Sequence, residues 1–164
     1  MIDNTTFGNG TALFHTFGCK LNFAETSTVA RLFADNGIRR VQAGESPDFV
    51  VINTCSVTEI ADKKCRQAIH RFNRTYPEAA IVVTGCYAQL KSEEIASIPG
   101  VAIVAGTDRK LALVEYLAQW REKREKATFI TPTRDIATFD PSCSRGDRTR
   151  YFLKVQDGCD YWCS

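Results

Sequence analysis

The stretch "DFVVINT", residues 48–54, places four apolar side chains in a row, Phe49 to Ile52. Successive strand side chains point to opposite faces, so an uninterrupted apolar run needs both faces covered. "AIVVTG" (80–85) and "VAIVAG" (101–106) repeat the pattern. Upstream, "TALFHTF" (11–17) reads as a first strand and "IRRVQ" (38–42) as a short second one. Helical periodicity fills the gaps: 22–36, with Val29, Leu32 and Phe33 inward, then about 58–75, a short piece near 92–97, and 108–124 with Leu111, Val114, Leu117 and Ala118 on one face. Gly37 closes the first helix, and Asn22 with Glu25 resembles its capping box. Strands alternating with helices predict an α/β fold, a doubly wound, flavodoxin-like parallel five-stranded sheet with helices on both faces.

Residues 127–149 lose this rhythm and are read as a linker. "RYFLKVQDG" (150–158) begins something new. At 164 residues, 44% hydrophobic and 24% charged, the chain suits one ordinary globular domain with a little left over. A net charge of +2 neither demands nor excludes a nucleic-acid partner. "MIDNTTFGNGTALF" has no leader pattern, and no apolar stretch is long enough for a membrane span. A cytosolic location with reduced thiols is therefore expected. Seven cysteines in such a chain suggest metal, cluster or nucleophile before disulfide.

Cys19, Cys55 and Cys86 each follow a predicted strand: the first, third and fourth. Those strands are neighbours in a 2-1-3-4-5 sheet, and their carboxyl ends gather at the usual ligand crevice. Converging thiols without histidine suit an iron–sulfur cluster or zinc. His15 and His70 are expected to be structural or solvated. Cys65 falls on the inward face of a helix and reads as core; its C-x5-R spacing to Arg71 lacks the glycine-rich loop of a cysteine phosphatase. Cys143 reads as an exposed thiol. Asn53 and Gln89, beside the thiols, could tune a metal group or shape the turns. Arg145, Arg148, Arg150 and Lys154 read as a solvated linker ahead of RNA contacts, because Asp147 and Asp157 are interspersed.

"GCKLN", "NTCSV", "GCYAQ" and the final "GCDYWCS" together resemble the tRNA methylthiotransferases of the radical S-adenosylmethionine (SAM) superfamily. "KL" after Cys19 looks most like the branch acting on N6-threonylcarbamoyladenosine; other branches act on isopentenyladenosine or a ribosomal protein. The resemblance implies that residues 1–126 are the amino-terminal domain, with an auxiliary [4Fe–4S] cluster on Cys19, Cys55 and Cys86. Residues 150–164 would begin a radical-SAM barrel, Cys159 and Cys163 matching the first two cysteines of its C-x3-C-x2-C motif. The third would lie past Ser164, so the stretch alone is expected to be inactive. The full-length protein would carry two [4Fe–4S] clusters, use SAM, and methylthiolate C2 of the adenine next to the anticodon. Its partners would be tRNA, a sulfur donor and an electron donor, with no membrane. A structural zinc or thiol module and a flavodoxin-like electron carrier are the competing readings. The carrier would need a phosphate loop, and "TFGCKLNFAET" has a single glycine.

Overall fold

A computed structural model describes residues 7–56, 58–144 and 151–156. Its main sheet is parallel, in the order β2-β1-β3-β4-β5-β6. The strands are β1 Thr11–Thr16, β2 Arg39–Arg40, β3 Phe49–Thr54, β4 Ala80–Gly85, β5 Val101–Ala105 and β6 Ala127–Phe129. The helices are α1 Lys20–Asp35, α2 Glu59–Thr75, α3 Cys86–Leu90, α4 Ser92–Ala96 and α5 Leu113–Lys123. A 3-10 turn, Thr107–Ala112, leads into α5.

The apolar runs are explained by two cores. Phe49, Val51, Ala80 and Val82 face one side, packed with Val29 and Phe33 of α1 and Leu113 and Leu117 of α5. Val50, Ile52, Ile81 and Val83 face the other, against Cys65, Ile69 and Phe72 of α2 and Tyr87 and Ile95 of α3 and α4. Helices therefore cover both faces, as the doubly wound reading requires. Cys65 is fully buried, in keeping with a core thiol.

Several details differ from the sequence expectation. The sheet has six strands: Ala127–Phe129, within the stretch read as a linker, pairs in parallel with β5, and Phe129 stacks on Tyr116 at 3.6 Å. Its three residues are too few to show a period in sequence. Cys143 is half-buried in β7 (Ser142–Cys143), which pairs antiparallel with β8 (Leu153–Lys154). The Cys143 carbonyl accepts from Arg31 Nη1 at 3.1 Å, which attaches β7 to α1. Leu111 lies in the 3-10 turn and is 39% exposed, because three residues per turn rotate it off the α5 face. Among the described residues, no helix is long and apolar enough to cross a membrane.

α2 starts with a side-chain cap: Thr58 accepts from the Ala61 N–H at 3.1 Å. At the position before α1, the Cys19 side chain makes no capping hydrogen bond. Thr58→Ala is therefore expected to cost about 1 kcal/mol of stability. Cys19→Ala should stay within about 0.5 kcal/mol of the parent. Urea unfolding of the two variants checks the pair.

Candidate functional site

β1, β3 and β4 run in register, Thr16 beside Asn53 and Asn53 beside Thr84, so their carboxyl ends lie at one edge. Cys19 immediately precedes α1 just beyond β1, Cys55 follows β3 directly, and Cys86 opens α3 directly after β4. Cys19 and Cys86 are exposed and Cys55 is buried. All three cysteines thus follow the carboxyl ends of adjacent parallel strands.

Glycine makes the approach possible. Gly18 has φ +98°, and a Cβ there would meet the Cys55 Cβ at 2.7 Å and its Sγ at 3.0 Å. Gly85 has φ 100° and ψ −167°, a region open essentially to glycine alone. A Cβ there would lie 2.3 Å from the Thr54 carbonyl oxygen and 2.6 Å from Asn53 Oδ1. Each exposed cysteine is thus preceded by a residue whose missing side chain lets its segment press on β3.

Buried polar side chains fasten the segments. Asn22 is not a cap: α1 begins two residues earlier, and Asn22 Nδ2 donates to the Phe17 carbonyl at 2.8 Å and the Thr54 carbonyl at 3.1 Å. Asn53 Nδ2 donates to the Asn22 carbonyl at 2.9 Å. Thr54 Oγ1 donates to the Thr84 carbonyl at 2.6 Å and accepts from the Ala88 N–H at 3.3 Å, seating α3 on β3. Gln89 Nε2 donates to the Thr131 carbonyl at 2.7 Å, and its Oε1 accepts from the Thr107 N–H at 3.1 Å. Asn53 and Gln89 therefore shape the turns around the thiols. A polar "NT" at the end of an apolar strand was the signal available in sequence.

Beneath this edge lies a charge cluster that sequence reading missed. Glu25 pairs with Lys110 through one carboxylate oxygen and with Lys154 at 3.0 Å through the other. All three side chains are buried. Lys154 is thus neither a solvated linker residue nor a phosphate contact. Glu25 sits on the inward face of α1, where only a partnered carboxylate is tolerated; that was the readable sign. Burial pushes the Glu25 carboxyl up, but Lys110 and Lys154 outweigh it and hold its pKa below the ordinary value. Burial of its inner side also pushes the Cys86 thiol up, while Lys110 works against this and Cys55, Glu25 and Cys19 reinforce it.

One carboxylate faces two ammoniums, so the cluster is net positive, yet burial dominates at Cys86 and holds its thiol above the ordinary value. Soft sulfur donors on a shared sheet edge are the donor type that a thiolate-bound metal group takes. Among the described residues, however, no three His, Cys, Asp or Glu side chains stand at metal-holding spacing. Cys159 and Cys163, like Arg145, Arg148 and Arg150, lie outside the described residues.

Comparison with known proteins bears on this edge. Residues 11–106 match the family described as "Uncharacterized protein family UPF0004". The threonylcarbamoyladenosine tRNA methylthiotransferase MtaB of Bacillus subtilis (strain 168) is 41% identical over 158 residues, 94% of this chain and 35% of the relative. Its namesake from Aquifex aeolicus (strain VF5) is 36% identical, covering 92% of this chain and 37% of the relative. A tRNA-2-methylthio-N(6)-dimethylallyladenosine synthase from Anaeromyxobacter sp. (strain Fw109-5) is 30% identical, covering 92% and 34%. The chain spans about a third of the length of these curated relatives.

Gly85→Ala should lose about 3 kcal/mol or more, since the methyl meets backbone atoms that cannot turn aside; thermal unfolding reads this. Glu25→Gln leaves two buried cations short of a charge partner and should cost about 3–5 kcal/mol at neutral pH. The Glu25 pKa is depressed on folding, so its contribution is complete above the ordinary value of 4.5 and is lost as pH falls through the folded pKa. The stability gap between parent and variant should therefore narrow on acidification below 4.5, as followed by urea unfolding across pH.

Proposed function

The chain belongs to the UPF0004 family, and from that membership we propose that it is the auxiliary-cluster domain of a radical-SAM tRNA methylthiotransferase. The observation that carries the reading is the placement of Cys19, Cys55 and Cys86 at the ends of three adjacent parallel strands. These three would hold a [4Fe–4S] cluster. Bound by three cysteines, such a cluster keeps one iron open to an external sulfur ligand, which is the sulfur-handling chemistry a methylthiolation needs.

The chain's own residues have defined tasks in this reading. Gly18 and Gly85 allow the Cys19 and Cys86 segments to close on Cys55. Asn22, Asn53 and Thr54 hold α1, β3 and α3 in fixed relation, so the donor atoms are positioned before anything binds. Lys110 is the cation that acts on the Cys86 thiol, with Glu25 holding it in place. Cys65 donates its S–H to the Cys55 carbonyl at 3.7 Å and takes a supporting part only.

The substrate in this proposal is the adenine of N6-threonylcarbamoyladenosine beside the anticodon, methylthiolated at C2. The branch choice is supported by "KL" after Cys19 and by the 41% and 36% identity to two threonylcarbamoyladenosine relatives, although two others, at 32% and 31%, overlap the 29–32% of the dimethylallyladenosine relatives. Cys159 and Cys163 would belong to the SAM-binding cluster of the whole enzyme. SAM, tRNA, a sulfur donor and an electron donor are its expected co-reactants, in the cytoplasm.

Anaerobic reconstitution with ferrous iron and sulfide tests the site. The parent chain should acquire a [4Fe–4S] cluster with visible charge-transfer absorption. Cys19→Ala, Cys55→Ala and Cys86→Ala should each lose it, while Cys65→Ala keeps it. A full cluster in all three edge variants, or zinc held stoichiometrically in its place, would refute the assignment.

A further inference from the structure

A second surface stands apart from the thiols. Between α2 and the carboxyl half of β1 runs a groove of about 570 Å³, lined by His15, Phe17, Lys64, His70, Arg71 and Arg74 among others. No lining residue is acidic. Lys64, Arg71 and Arg74 are exposed, at i, i+7 and i+10 along α2, so they form one stripe about 15 Å long. None of the ion pairs among the described residues involves them. The nearest acidic residue on that helix, Asp62, is buried and faces Lys91 at 3.3 Å. On a chain of net charge +2, such a one-signed strip is a local feature rather than a consequence of composition.

The groove also has an aromatic floor. His15 packs edge-on against Phe17 at 4.7 Å and against Phe72 at 5.2 Å, and the Arg71 guanidinium lies 4.9 Å from the Phe72 ring centre. Burial, and then Arg71, hold the His15 pKa below its ordinary value, so its ring is neutral at physiological pH. A row of cations beside half-buried aromatic rings suits a flexible polyanion carrying flat bases: phosphates on the cations, bases against the rings. An acidic peptide would use the cations and leave the rings idle.

We propose that this groove binds single-stranded RNA, with backbone phosphates on Lys64, Arg71 and Arg74 and a base against His15 and Phe17. The choice of RNA rests on the tRNA reading above; the placement of the surface does not. Phe17 lies two residues before Cys19, so one end of the bound strand would be delivered to the thiol edge.

The test is fluorescence anisotropy of the parent chain with a short labelled single-stranded RNA over a range of KCl concentrations. The triple variant Lys64→Gln, Arg71→Gln, Arg74→Gln should bind at least about tenfold more weakly at low salt, and its log–log salt slope should drop by about 2. A control triple with the same charge change, Lys123→Gln, Lys126→Gln, Arg134→Gln, should bind like the parent. Every position changed is exposed, and thermal melts confirm that both variants are folded. Equal weakening in both triples, unchanged binding in the groove triple, or no RNA binding by the parent would overturn the proposal. Displacement of the RNA by polyglutamate as effectively as by unlabelled RNA would overturn it in favour of an acidic protein partner. Cluster loading is measured without RNA, so failure here and failure of the cluster assignment are separate results.

Discussion

The architecture of the cysteine-bearing edge depends on one steric constraint, the distance at which the β1 and β4 ends can approach β3. Gly85 presses on the Thr54 backbone where a Cβ would come within 2.3 Å of a carbonyl oxygen. Gly18 does the same to Cys55 from the other side. Nothing larger than hydrogen fits at either point, and both contacts are to atoms of β3 and the residue after it. The central strand therefore sets the location of all three thiols. The amides of Asn22 and Asn53 and the hydroxyl of Thr54 then make that close approach favourable, because backbone carbonyls that would otherwise be dry find donors.

The buried charge cluster is a second consequence of the crowded edge. Desolvating Glu25, Lys110 and Lys154 opposes folding, and pairing recovers that cost only because both carboxylate oxygens have partners. Its worth lies as much in connection as in energy. Glu25 belongs to α1, Lys110 to the turn after β5 and Lys154 to β8, so one carboxylate joins three parts of the chain separated by up to 129 residues.

The fold was readable because its signal is redundant. Three apolar runs, each broken by a helical period, admit little besides a parallel sheet covered on both faces. The strand-end positions of Cys19, Cys55 and Cys86 were readable for the same reason, since strand order alone puts β1, β3 and β4 side by side. What could not be read was pairwise. Asn22 has the spacing of a cap with Glu25, and only the positions of Thr54 for the one and of Lys110 and Lys154 for the other show that both side chains serve tertiary contacts instead. Lys154 sits in a charged stretch where solvation is the ordinary outcome, and its burial depends on a glutamate far away in sequence. β6 is too short for periodicity and owes its place to an open edge on β5 and to Tyr116, on which Phe129 stacks.

Those short outer strands affect how the chain behaves in company. β2 is two residues long with both arginine side chains exposed, and β6 has three residues. An open sheet exposes unpaired amides along its borders, and long flat borders recruit strands from other copies. Here the long strands β3, β4 and β5 are interior and the borders are cut short, one of them charged. Such a sheet offers little for a neighbouring copy to extend, so the folded chain is expected to remain dispersed even when concentrated.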